Sequence, residues 1–261
     1  MNIMICLRGT PAQFAFLSEI IELKAGIELG SYGMVGVQSE QDWKDCFTRH
    51  KAISADFSGM IAVHGPFIGM EYNHLDYILR QAVNQRLDMI FEAAKELKAC
   101  RVILHNDFNP VISLFKLEEY WLERKVSFWK EEIKRWADAG IEIVLENMTE
   151  PSPDLLVQLV DEVDNSYLGI CLDVGHHHLF AEIGVAEWVQ KTAHRLSHIH
   201  LHDNDRSDDK HWPPGQGTVD FNSLYAAVLK YVPQVTLSLE VSGDNQVKMG
   251  ALRKLAAKFP G

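Results

Sequence analysis

The chain has 261 residues, with 36 Asp and Glu against 25 Lys and Arg, a formal net charge of −11 and 12 His. A hydrophobic share of 47% supports a sizeable core and excludes the disordered, collagen-like and disulfide-scaffold classes. The acidic balance argues against a generic nucleic-acid binder, which needs a basic face, and the length suits one large α/β barrel or two ordinary domains.

The first run, Asn2–Leu7, is apolar without a basic leader and reads as a strand rather than a signal peptide. Further strands are expected at Gly26–Gly30, Met60–His64, Arg101–His105, Ile141–Glu146, Leu168–Asp173, Leu196–His202 and Thr236–Val241. Helical segments lie between them. Asp76–Leu97 places Ile78, Leu79, Ala82, Val83, Leu87, Ile90, Phe91 and Ala94 on one stripe. Leu117–Ala139 is a second long helix, closed by Gly140. Pro153-Asp154 opens Leu155–Val163, Asp220 caps Asn222–Tyr231, and Gly243-Asp244 precedes a last helix that runs to Phe259. This alternation predicts a parallel sheet, most simply a single (β/α)₈ TIM barrel over residues 1–261, with an open doubly wound sheet as the alternative.

Several chemistries lack their motifs. There is no G-x-G-x-x-G after the first strand and no G-x-x-x-x-G-K-[ST], so dinucleotide and P-loop sites are not expected. Cys6, Cys46, Cys100 and Cys171 form no C-x-x-C pair and read as free thiols of a cytoplasmic protein. No apolar stretch approaches the roughly 20 residues of a membrane span.

The strand ends carry the signal. Six successive expected strands finish at or beside an ionisable residue: His64, His105, Glu146, Asp173, His200 and Glu240. In a barrel these ends form the rim of one cavity, so the six side chains converge. Carboxylates and imidazoles crowded into a partly buried cup need a counter-charge, which divalent ions supply. Mixed nitrogen and oxygen donors suit Zn²⁺, Mn²⁺ or Fe²⁺. A lone His or Asp at a strand end is more often a hydrogen-bonded or capping residue; the joint pattern favours a metal cluster. Asp173-x-x-His176 and Asp209-x-His211 extend it, with His177 and His178 as surface neighbours or, for His178, a further donor. The charge-dense segment 203–211 reads either as a solvated loop or as a second ligand set closing over the mouth. Gly215–Phe221 reads as a tight turn into the next helix, and Phe67 and Ile68 as a loop anchor or, less readily, an apolar wedge.

These residues resemble the xylose-isomerase-like TIM barrels, a superfamily of sugar and sugar-phosphate isomerases and epimerases that also holds the endonuclease IV type of apurinic-site nuclease (AP endonuclease family 2). The resemblance covers essentially the whole chain. It rests on Leu145-Glu146-Asn147, Cys171-Leu172-Asp173-Val174-Gly175-His176, His200-Leu201-His202-Asp203-Asn204-Asp205 and Gly215-Gln216-Gly217-Thr218-Val219-Asp220-Phe221. It implies that Glu146, Asp173, His200 and Glu240 ligate one Mn²⁺-like ion, with Glu146 and Glu240 moving protons as catalytic residues. Arg206 matches a substrate-contacting arginine, and His176 would join it in fixing the substrate. His64 and His105 match further ligands of the nuclease branch, with Glu146 bridging two metals. His176, Asp209 and His211 match that branch's third site. One to three divalent ions, Zn²⁺ or Mn²⁺, are therefore expected.

The sequence departs from both branches. Met148-Thr149-Glu150-Pro151 replaces the nuclease's usual continuation, and His177-His178-Leu179-Phe180 replaces its phenylalanine- and alanine-rich stretch. His64 and His105 exceed what a single-metal epimerase needs. The favoured reading is a metal-dependent isomerase or epimerase of a sugar, sugar phosphate or polyol, possible as a homo-oligomer. The alternative is a multi-zinc phosphodiesterase acting on abasic DNA. A barrel without activity is the third reading.

Overall fold

The computed structural model describes residues 1–7, 10–32 and 39–259. Eight parallel strands close into a barrel in the order β1 to β8, with β8 paired back onto β1. They are β1 (Asn2–Leu7), β2 (Gly26–Leu29), β3 (Ile61–His64), β4 (Arg101–His105), β5 (Glu142–Glu146), β6 (Leu168–Asp173), β7 (Leu196–Leu201) and β8 (Thr236–Leu239). The helices around them are α1 (Pro11–Phe14), α2 (Leu17–Glu22), α3 (Glu40–Asp56), α4 (Tyr77–Glu96), α5 (Val111–Leu114) and α6 (Glu118–Asp138). They continue with α7 (Asp154–Val163), α8 (Val174–Phe180), α9 (Val185–Thr192), α10 (Phe221–Tyr231) and α11 (Asn245–Lys258). The expected barrel is therefore observed, and the open sheet is not.

Local chemistry sets the helix ends. Asp76, Asp220 and Asp244 accept backbone N–H groups at the starts of α4, α10 and α11. Gly140 follows α6 with a φ of 70°, the left-handed turn that frees the chain to enter β5. Ser39 and Asp42 form a reciprocal capping box at the start of α3. Among the described residues, no helix is long and apolar enough to cross a membrane.

Strand alternation divides the core in two. Residues such as Ile5, Ile27, Val63, Val102, Leu104, Ile143, Leu145, Ile199 and Leu237 point outward and pack in the layer shared with the helices, where Trp129, Trp136 and Trp188 are fully buried. The opposite parity points into the barrel. There Met4, Ala62, Ile103, Val144 and Cys171 form a small separate apolar plug. The cluster residues share this inward parity and lie one step beyond the plug, at the carboxyl ends of the strands. Register brings them side by side: His105 stands opposite Glu146, and Asp173 opposite His200.

Candidate metal centre at the barrel mouth

Glu146 is the hub of the centre and is fully buried. Its Oε2 lies 3.3 Å from His64 Nε2, 3.5 Å from His105 Nε2 and 3.5 Å from His200 Nδ1. Its Oε1 lies 3.4 Å from His176 Nδ1. Glu240 Oε2 approaches the same His200 Nδ1 from β8 at 3.2 Å, with its side chain 23% exposed. His64, Glu146, His200 and Glu240 thus each offer a donor atom, all within 4.8 Å of one another. Glu146, Asp173 and His176 make a second such group, and His202, His211 and Glu240 a third.

The tautomers decide what belongs between these atoms. His64 Nδ1 donates to the Gly65 carbonyl at 3.0 Å, His176 Nδ1 to the Asn147 carbonyl at 3.0 Å, and His211 Nδ1 to the Glu240 carbonyl at 2.7 Å. Carbonyls only accept, so each ring's other nitrogen carries a lone pair when the ring is neutral. Those nitrogens face carboxylates: His64 Nε2 faces Glu146, and His176 and His211 Nε2 face Asp209. Lone pair against carboxylate is repulsive unless a cation lies between. For His211 and Asp209, in hydrogen-bond geometry at 2.8 Å, a proton suffices. Around Glu146 it does not, because both its oxygens and His200 Nδ1 are buried without a hydrogen-bond partner. The three contacts His64–Glu146, Glu146–His200 and His200–Glu240, at 3.2–3.5 Å, are close to the separation of about 3.3–3.4 Å between tetrahedral donors with bonds of about 2.0–2.1 Å. The donor set therefore fits a divalent ion.

Electrostatics agree. Burial opposes ionisation of Glu146, but His105 and His200 outweigh it and hold the carboxyl well below its usual range. Asp173 is held low in the same way, against burial, by His176 and His202. Burial pushes His105 down to about 3, whereas the carboxylates beside His64 outweigh its burial and hold it up to about 9, and those beside His176 and His200 hold these rings well above the usual imidazole range. The anions of the mouth thus draw positive charge onto its rings, and a divalent ion would take the place of those protons.

Loops complete the cup. Asp173 caps α8 by accepting the His176 N–H at 2.7 Å, and the same carboxylate stands within the group it forms with Glu146 and His176. Asn147 pins this corner, accepting the Asp173 N–H at 2.8 Å and donating to its carbonyl. Segment 203–211 returns on itself through an antiparallel bridge between Asp203 and Trp212, which carries Asp209 and His211 to the mouth while residues 205–208 face solvent. The Asp203 carboxylate accepts the N–H groups of Asn204, Gly215, Gly217 and Val219, which shapes the glycine turn. Gly217 is required there: a Cβ would stand 2.3 Å from the Asn204 carbonyl oxygen.

Other expected residues fall elsewhere. Arg206 is exposed at φ 67°, its Nε 3.5 Å from His178 Nδ1, and it is not in the lining of the cavity over the cluster. His177 is no surface neighbour. It is buried, hydrogen-bonded to the Ile183 carbonyl and set edge-on to Trp188, because α8 turns it away from His176. Phe67 stacks on His105 with centroids 4.5 Å apart, as an anchor, while Ile68 is 60% exposed.

Sequence reasoning missed three buried partners. Glu28 accepts from His200 and His198 inside the barrel. His202 Nε2 contacts both Asp173 oxygens at 2.9–3.0 Å. The period-2 series His198, His200, His202 already places all three rings on one face of a strand. Gly175 makes room for the His202 ring, whose Cε1 would lie 1.9 Å from an added Cβ. Gly175→Ala should displace that ring from Asp173, costing about 1–3 kcal/mol in urea unfolding and weakening metal uptake. An unchanged midpoint and affinity would show that the ring has room.

The cavity over the cluster has a volume of 260 Å³, walled by His64, Phe67, His105, Glu146, His176 and Glu240 among others. It shares Phe67, His105 and Met148 with a groove of 1310 Å³ between α4 and α6. A closed (β/α)₈ barrel with an imidazole–carboxylate cluster at its carboxyl end defines a class of proteins. The description "Xylose isomerase-like TIM barrel" matches residues 28–258, and the chain belongs to that family. It is 29% identical over 170 residues to the uncharacterized protein MJ1311 of Methanocaldococcus jannaschii, an overlap of 62% of this chain and 57% of that relative. Among solved structures it is similar to the TTHB071 protein from Thermus thermophilus, soaked with ZnCl₂, at TM-score 0.74 and 24% identity over 100% of both chains. It is also similar to a D-tagatose 3-epimerase-like protein, at TM-score 0.77 and 22% identity over 98% of this chain and 96% of the other.

Proposed function

We propose that the chain is a divalent-metal-dependent isomerase or epimerase of a sugar, sugar phosphate or polyol, acting as one barrel domain. The observation that carries this reading is the pair Glu146 and Glu240, which approach one imidazole nitrogen, His200 Nδ1, from β5 and β8 at 3.5 and 3.2 Å. Two carboxylates flanking one point can remove a proton from carbon on one side and return it on the other. Glu240, partly exposed, meets the substrate from the mouth; Glu146 closes the floor. His64, Glu146, His200 and Glu240 would hold the ion, with Asp173 beside them. When bound, it would polarise a carbonyl and stabilise the negative charge that develops on oxygen. His176 would orient the substrate, and Arg206 would reach it only from the outer loop. The D-tagatose 3-epimerase-like neighbour supports the substrate class.

The further groups around His176 and His211 favour a second reading, a multi-zinc phosphodiesterase. Metal analysis with ketose incubation in D₂O separates the two. The expected result is bound divalent metal together with deuterium at the carbon beside the carbonyl of D-tagatose or D-fructose. Three zinc ions per chain with cleavage of an abasic-site duplex, and no exchange, would overturn the isomerase reading.

A further inference from the structure

A polar column runs through the barrel from the end opposite the mouth. At the amino ends of β4 and β5, Arg101 grips Glu142 through Nε and Nη2 at 2.8 and 2.6 Å. Its Nη1 lies 3.0 Å from His198 Nδ1. His198 Nε2 lies 3.1 Å from Glu28 Oε2, and Glu28 Oε1 lies 3.0 Å from His200 Nε2. Ser238 donates to Glu28 Oε2 at 2.7 Å. Glu28, His198, His200 and Ser238 are all fully buried.

Hydrogen-bond logic assigns the donors and acceptors of the column. A guanidinium only donates, so His198 Nδ1 accepts and the ring carries its proton on Nε2. That N–H donates to Glu28. The carboxylate then accepts from Ser238, from His198 and, on its other oxygen, from His200 Nε2–H. The neutral His200 ring is thereby left with its Nδ1 lone pair on the side of Glu146 and Glu240, where an ion would be held. Cys171, His198 and His200 also stand close enough to suggest a separate ion. His198 has both nitrogens engaged and offers none.

We infer that Arg101, His198 and Glu28 are positioning residues that fix the tautomer of His200 and so set the metal affinity of the centre. The inference rests on the metal-centre reading above and names residues that reading does not use. Carboxylate partners of metal-binding imidazoles are worth 10–100-fold in affinity when lost. An amide at Glu28 can turn its NH₂ toward His200 Nε2, which favours the opposite tautomer.

The test is a zinc titration of the full chain by calorimetry, with the unfolding midpoint measured on each metal-free variant. Glu28→Gln should bind zinc about 10–100-fold more weakly. Arg101→Met, at the far and partly exposed end, should weaken it in the same direction by less. Ser238→Ala removes a neighbour of Glu28 without touching the His200 bond and should leave the affinity within about threefold, which a general packing role for the carboxylate would not predict. In zinc-loaded, ¹⁵N-labelled protein, the His200 Nε2–H resonance should lie far downfield and move upfield in Glu28→Gln. Equal zinc affinity in wild type and Glu28→Gln overturns the inference and leaves the metal reading standing. Should Glu28→Gln not fold, unchanged affinity in Arg101→Met overturns it instead. A wild type that takes up no zinc overturns the metal reading itself.

Discussion

Glu146→Gln is expected to lower turnover at least about thousand-fold, equivalent to about 4 kcal/mol of transition-state stabilisation. It removes one of the two carboxylates proposed to move protons, each worth roughly 10²–10⁴-fold, and the oxygen that faces three imidazoles. The effect on stability should run the same way. In the metal-free protein the imidazoles around Glu146 outweigh its burial and hold its carboxyl well below the usual range, so the ionised group stabilises the fold at neutral pH. A neutral amide of the same shape loses that attraction, so the metal-free variant should melt below the metal-free wild type. Zinc, which stabilises whichever folded state binds it, should raise the melting temperature of wild type and not of the variant. Thermal melts with and without zinc, beside the activity assay, read both effects. Full activity in the variant would show that the centre lies elsewhere.

Asp203→Asn should cost about 3–5 kcal/mol, a loss usual for breaking a buried, fully paired charge. The carboxylate takes two backbone N–H groups on each oxygen: Asn204 and Val219 on Oδ1, Gly215 and Gly217 on Oδ2, at 2.8–3.1 Å. Whichever way an amide turns, its NH₂ meets two donors, and no acceptor remains for them. The damage spreads to the mouth, since the same residue pairs with Trp212 and closes the loop that carries Asp209 and His211. Urea unfolding measures the first loss. The second should appear as weaker binding at the outer part of the metal cluster. Stability within about 1 kcal/mol of wild type would mean that the turn has another scaffold.

The barrel was legible because its strands are short apolar runs at βα spacing. The ends of β1, β4 and β6 fall where the pattern predicts, while β2, β7 and β8 stop a residue or two early. There the chain leaves the ladder to deliver Gly30, His202, Glu240 and Val241 to the mouth. The rim donors were legible for a topological reason: parallel strands bring all their carboxyl ends to one place. Glu28 was not, because it lies mid-strand between Ile27 and Leu29, where a lone acid has no neighbour in sequence to explain it. Its partners lie 170 or more residues away. His177 was misjudged for a related reason. Three consecutive histidines on a short helix point in different directions, and only the packing of Trp188 shows which of them is core. Arg206 illustrates the limit of matching by spacing, since a fixed offset from His200 leaves the direction of a loop side chain open.

Closure of the barrel has a consequence for how the centre comes into being. The strand that bears Ser238 and precedes Glu240 is the last to be made, and it pairs with both the first strand and the seventh. Until it docks, two sheet edges are open and Glu28 lacks one of its donors. The group of His64, Glu146, His200 and Glu240 is then incomplete, and loop-closure entropy must be overcome before its last member arrives. Binding of a divalent ion at that group would thus be a late folding event. It would report completion of the whole barrel, and a fragment ending before β8 has every imidazole of the mouth but not the carboxylate that closes it.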